Sequence, residues 1–185
     1  MKNNAIHDFI LAKERNIVVA AAVSDAWAEA RAHVVNKFLN RLGTKLVKHL
    51  RGWEHEPWKQ FLVEPYSNFS FWKTAWVDQY WIVLQCQPGG QQLLFGVMRN
   101  EDRIGRRPFC PEILTAIQKI HPSARSRTWW EAVVTLRSPA PDWSKPEVLW
   151  QMHTDAAFLN DVAEQLLAVA KASESIVDRL VKKRH

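Results

Sequence analysis

Gln79-Tyr80-Trp81-Ile82-Val83-Leu84-Gln85-Cys86-Gln87, then Pro88-Gly89-Gly90, then Gln91-Gln92-Leu93-Leu94-Phe95-Gly96-Val97-Met98-Arg99 is the stretch whose reading decides the fold. Two runs of β-branched, aromatic and aliphatic residues flank a turn triplet. Pro88 sets φ for the first turn position and a glycine accepts the positive φ that follows, so the stretch predicts a β-hairpin. Alternation assigns Tyr80, Ile82, Leu84 and Cys86 to one face and Trp81, Val83, Gln85 and Gln87 to the other. The first face is expected against the core, while the second grows polar toward the turn. Gly96 has no side chain, which lets a neighbouring strand's aromatic ring or a helix approach the backbone there.

Upstream of the hairpin, Ser24-Asp25 has the chemistry of a helix N-cap with an acid in the first turn and predicts a helix to about Leu50. Trp27, Val34, Val35, Phe38, Leu39, Leu42, Leu46 and Leu50 recur at three- and four-residue spacing and form its apolar stripe. At 100° per residue His33, Lys37, Arg41, Thr44, Lys45, Lys48 and Arg51 share an arc beside that stripe. Gly52 stands where a residue of positive φ commonly ends a helix. Residues 1–23 form an N-terminal arm or short helix in this reading. Between helix and hairpin, Gln60–Val63 and Asn68–Lys73 are expected as short strands leading in through a meander.

Downstream, a polar loop from Asn100 to Pro108 precedes a helix from Pro111 to Ile120, which His121-Pro122 stops. Trp129–Leu136 has the residue preferences of a strand. Ser144-Lys145-Pro146-Glu147 fits an N-terminal capping pattern for a short helix through Met152. Thr154-Asp155 caps a last long helix to about Val181. These elements predict an α+β fold, with an antiparallel sheet of four or five strands packed against two long amphipathic helices (about 24–51 and 155–181) and a shorter one at 111–120, in a single domain over residues 24–185.

The chain of 185 residues is 47% hydrophobic and 24% charged, as ordinary globular proteins are. Its two cysteines, Cys86 and Cys110, make no disulfide framework, and a reducing cytoplasm fits them. Ile17–Val23 follows Asp8 and Glu14 and leads into a helical pattern, so it is not a signal-peptide core, and no stretch has the length of a membrane span. His49 and His55 with Cys86 or Cys110 lack the paired short spacing of zinc ligands. Ser123, Ser126 and Ser138 lie outside any nucleophile elbow, and no glycine-rich phosphate loop follows a strand. No catalytic residue, metal or cofactor is therefore assigned.

The net charge of +6 is unevenly spread: Arg31 to Arg51 holds six Lys or Arg and no acid, and Arg99 to Arg127 holds seven against three acids. Such stretches suit a polyanionic partner, either DNA or RNA or an acidic protein surface. Lys37, Arg41, Lys45, Lys48 and Arg51 on the helix, with Arg103, Arg106 and Arg107 in the loop, are the candidate phosphate contacts. Ten Trp are more than core filling usually demands. Trp72, Trp76, Trp129 and Trp130, with Trp143, are candidates for stacking on bases, against the alternative that they fill sheet and loop core among aliphatic neighbours.

The order of elements resembles the C-terminal region of a large group of bacterial proteins in the PD-(D/E)XK nuclease superfamily, many linked to defence against phage and other foreign DNA. The resemblance runs over most of residues 25–180. It is carried by the helix Val34–Leu50, by Phe71-Trp72-Lys73 to Trp76, and by the strand pair Trp81–Gln85 and Leu93–Arg99 with its Leu94-Phe95-Gly96-Val97. Trp129-Trp130, Asp142-Trp143, Pro146-Glu147-Val148-Leu149 and the closing helix complete it. In such proteins the metal-binding Asp and the acid-x-Lys dyad lie in an N-terminal half, and this chain is expected to begin beyond it. Gln85-Cys86-Gln87 places amides where an acid and a lysine would hold a divalent metal. The resemblance therefore implies a non-catalytic accessory or interaction module.

Overall fold

The two strands of the hairpin pair as the sequence predicts and lie at the centre of a sheet; Gly89 and Gly90 of the expected turn lie outside the described residues. Strands β3 (Tyr80–Cys86) and β4 (Leu93–Arg99) pair antiparallel along their whole length, from Tyr80 opposite Arg99 to Cys86 opposite Leu93. The computed structural model describes residues 4–57, 61–62, 64–76, 79–88, 91–105 and 108–182. Around the hairpin stand β1 (Trp53–Pro57), β2 (Asn68–Lys73), β5 (Arg125–Arg127) and β6 (Trp130–Thr135). The six strands run in the order β1-β2-β3-β4-β6-β5 with every neighbour antiparallel.

The count exceeds the four or five strands read from the sequence, and the difference lies at the two edges. Neither edge carries an aliphatic alternation: Glu54-His55-Glu56 in β1 and Arg125-Ser126-Arg127 in β5 are charged and polar, as exposed sheet edges must be to resist pairing with other chains. The expected strand Gln60–Val63 is not present at Phe61 and Leu62; Gln60 and Val63 lie outside the described residues. Gly96 does admit a close neighbour, which is the β6 backbone. A Cβ at that position would stand 2.1 Å from the Ala132 carbonyl oxygen.

The helices cover one face of this sheet. They are α1 (Asn4–Leu11), α2 (Glu14–His49), α3 (Glu101–Ile104), α4 (Pro111–Gln118), α5 (Pro146–Thr154) and α6 (Ala156–Lys182). Tyr80, Ile82, Leu84 and Cys86 face the main core with Val35, Phe38, Leu39, Leu42 and Leu46 of α2 and Val162, Leu166, Val169 and Val177 of α6. Phe38 meets Trp143 edge-on at 5.4 Å between ring centroids and Phe158 at 5.7 Å. Gly43 lets α2 close on β1, since a Cβ there would meet the His55 ring at 2.4 Å.

Helix α2 begins at Glu14, ten residues before the expected cap, and Ser24-Asp25 is interior to it. The run Ala20-Ala21-Ala22 on one side and Ala26, Ala28 and Ala30 on the other have high helix propensity, so the helix passes through the polar pair without interruption. Trp27, expected inward, is 46% exposed, because the body of the protein meets α2 only from Arg31 onward. Asp155 caps α6 by accepting from the Ala157 amide, as read from the sequence. Lys145 is the N-cap of α5, without a side-chain cap bond, while Asp142 instead accepts from Ser144.

Two polar groups tie the layers together. Lys73 Nζ lies 2.6 Å from Asp178 and 3.0 Å from Glu174 on α6, and the Trp76 indole N–H donates to the other Asp178 oxygen at 2.8 Å. The hydrogen bond to Asp178 is the main cause of a Lys73 pKa above the usual lysine value, against the opposing effect of burial. Glu131, fully buried where the β4–β6 register shifts, accepts from the Cys110 amide at 2.6 Å and stands 3.7 Å from Arg99. Arg99 also binds Glu101 at 2.9 Å and lies over the Phe109 ring.

Two measurements check this core. Trp143→Ala removes the ring on which Phe38, Phe61 and Phe158 converge and is expected to cost about 3–5 kcal/mol in denaturant unfolding. His121 packs edge-on to Phe95 at 5.2 Å, and burial holds its pKa below 6.5. Above 6.5 the imidazole is neutral in folded and unfolded chains alike. As pH falls below 6.5 the unfolded chain takes up the proton first, so stability drops until the lower folded pKa is passed. His121→Leu should flatten that acid limb of the stability profile.

Candidate functional site

Stepping along α2 by three or four residues traces one continuous ridge: Val19, Val23, Trp27, Ala30, Val34, Lys37, Arg41, Lys45 and Lys48. Its first half is uncharged and its second half is cationic at every step. The buried residues Val35, Phe38, Leu39, Leu42 and Leu46 occupy the adjacent side of the same helix. The basic arc runs beside this buried stripe, with Lys45 next to Phe38 around the helix, and its side chains are exposed or half-buried.

An open concavity of about 800 Å³ follows the basic half. Lys37, Arg41, Lys45 and Lys48 line it together with His33, His49, Asn36, Asn40 and Thr44, and Leu159 of α6 closes one side. Among the described residues no carboxylate lines it and none of the four cations has an acidic partner. From Lys37 to Lys48 the helix rises roughly 16 Å, a length over which one nucleic-acid strand presents about five phosphates. Amide and hydroxyl groups between the cations add neutral donors for phosphate or sugar oxygens.

The remaining candidates are placed elsewhere. Arg51 follows the end of α2, is exposed and does not line the concavity; Arg103 is exposed on α3. Arg106 and Arg107 lie outside the described residues. Trp76 is corrected from a stacking candidate to a core residue: it is 0% exposed, with its N–H committed to Asp178, so neither ring face is open to a base. Trp130 is 4% exposed and packs with Val83, Leu94 and Val133 on the sheet face opposite the helices. Trp72 is half-buried on β2, and Trp129 is 57% exposed in the turn between β5 and β6. Trp76 and Trp143 thus belong to the main core, and Trp130 to the cluster on the other face of the sheet.

Sequence reading missed one further cationic cluster. Arg125, Arg127 and Arg137 line a concavity of about 160 Å³ with Ser123 and Thr135, again without a carboxylate. Arg125 and Arg127 share a face because they are two residues apart in a strand, a relation invisible until β5 is recognised. Among the described residues no group of three or more His, Cys, Asp or Glu is placed to hold a metal ion, and no helix is long and apolar enough to cross a membrane. Comparison with protein-family models, with curated proteins and with solved structures finds no match to the chain.

Proposed function

We propose that this chain is a non-catalytic nucleic-acid-binding module, related to the accessory region of PD-(D/E)XK defence proteins and acting in the reducing cytoplasm, which suits two buried cysteines that form no disulfide. The observation that carries the reading is the outward ridge Lys37-Arg41-Lys45-Lys48, four cations lining one concavity with no acid among its lining residues. Like charges spaced along one helix face repel one another by a few tenths of a kcal/mol per pair, and a polyanion laid along them relieves that repulsion while releasing its own counterions. The contacts fall on backbone phosphates, so the module binds without strong sequence preference.

Reversing Lys37, Arg41, Lys45 and Lys48 together to Glu is expected to lower affinity for a random DNA or RNA duplex by roughly a hundredfold or more at low salt. Each lost phosphate contact should also flatten the log–log salt slope by about one unit. The fold should be unchanged by circular dichroism, since none of the four side chains belongs to the buried stripe. Arg103→Glu is the matched control and should have a small effect. Unchanged affinity and slope in the quadruple variant would refute the reading. Binding of an acidic protein with no measurable nucleic-acid binding by the wild type would assign the same ridge to a protein partner.

A further inference from the structure

The face of the sheet that receives no helices ends in the smaller cationic concavity, and register explains how its arginines come together. Arg125 of β5 stands opposite Val133 of β6, and Arg127 opposite Trp130. Val133 and Trp130 belong to the cluster on this face, so Arg125 and Arg127 share it with them. The Leu136 amide donates to the Leu93 carbonyl at 2.8 Å, which continues the pairing with β4 past Thr135. Alternation then puts Arg137 on the same side as Thr135 and Val133. The three arginines line the concavity above an apolar floor of Leu94 and Val133, with the side chains of Ser123 and Thr135 beside them.

We propose that this concavity is a binding site for a phosphate monoester, held by Arg125, Arg127 and Arg137. The first observation is charge. Among the described residues none of the three arginines has an acidic partner. Glu131, the carboxylate nearest to them along β6, is fully buried and accepts from the Cys110 amide of the main core. Guanidinium groups stay protonated at any ordinary pH, so three of them around one space repel until an anion is shared between them. A monoester carries close to two charges and three free oxygens, whereas a backbone diester carries one charge and two.

The second observation is size. About 160 Å³ holds roughly five water-sized groups, the scale of a single phosphate group and too small for a duplex. The third is residue type. All three cations are Arg, whose planar fork bonds two phosphate oxygens at once, while the ridge of α2 has three Lys to one Arg. Protection of a sheet edge accounts for charge on β5, but Arg137 follows the inner strand β6. The site is on the sheet face away from α2, and it does not depend on what the ridge there binds.

Arginine side-chain Nε–Hε resonances followed during titration at low salt test the site. Inorganic phosphate and glycerol 3-phosphate should each give saturable shifts at Arg125, Arg127 and Arg137, with a dissociation constant below about 1 mM. Dimethyl phosphate should bind at least roughly tenfold more weakly, because it offers half the charge. Arg137→Gln should weaken glycerol 3-phosphate by about tenfold or more, and so should Arg137→Lys, which keeps the charge and loses the fork. Arg137 is exposed, so the circular dichroism spectrum should not change. A 5′-phosphorylated dinucleotide that binds more tightly than glycerol 3-phosphate at the Arg137 signal would assign the site to a strand end; the reverse order would assign it to a small phosphorylated metabolite. No saturation at these arginines by about 10 mM phosphate would overturn the proposal. So would equal affinity for dimethyl phosphate, or an Arg137→Lys variant that binds as the wild type does.

Discussion

The outer ridge of α2 is positioned by the packing of its inner side against β1, α5 and α6. Val35, Phe38, Leu39, Leu42 and Leu46 are all at most 1% exposed, and burial of each such side chain stabilises by about 1.5–3 kcal/mol. Their sum, on the order of 10 kcal/mol, exceeds the few tenths per pair by which neighbouring cations on the outer side of the helix repel one another. The inner stripe therefore determines how the helix lies, with Phe38 between Trp143 and Phe158 as its anchor. The outer ridge is free to carry charge without threatening the fold. Only one side of the sheet receives helices, so the Val83, Leu94, Trp130 and Val133 cluster on the other side is sheltered by sheet side chains, with Trp81 and Met98 packed at its margin.

The chemistry along α2 divides at Val34. Before it, the ridge is apolar and the helix stands clear of the body; after it, the ridge is cationic and the adjacent side of the helix is buried. A single helix thus carries an uncharged segment and a cationic ridge in fixed relation.

The parts of the fold that were legible in the sequence are those governed by periodicity and burial. The β3–β4 hairpin, α4 and α6 follow from patterns that survive in any context because one face must leave water. The edges did not follow: β1 and β5 are polar for the very reason that they are edges, and their residues resemble loop. The start of α2 was misplaced because Ser24-Asp25 is a strong capping signal only where the preceding residues are not themselves helical, and an alanine-rich run is. The basic arc was legible as residues sharing a helix side, since that needs only 100° per residue. The Trp candidates were not separable by sequence, because whether an indole is core or surface depends on which sheet face it occupies. Arg137, in a different segment from Arg125 and Arg127, joins their cluster only through tertiary structure.

The proposed phosphate contact lies on one ridge of α2 and stops where the uncharged half begins. Amide chemical-shift mapping during titration with a random DNA duplex tests it directly. The account predicts perturbations concentrated between Lys37 and Lys48, growing weaker as salt is raised, with the amides from Val19 to Trp27 unmoved. Perturbations centred on the Arg125, Arg127 and Arg137 cluster, or spread along the arm, would contradict it.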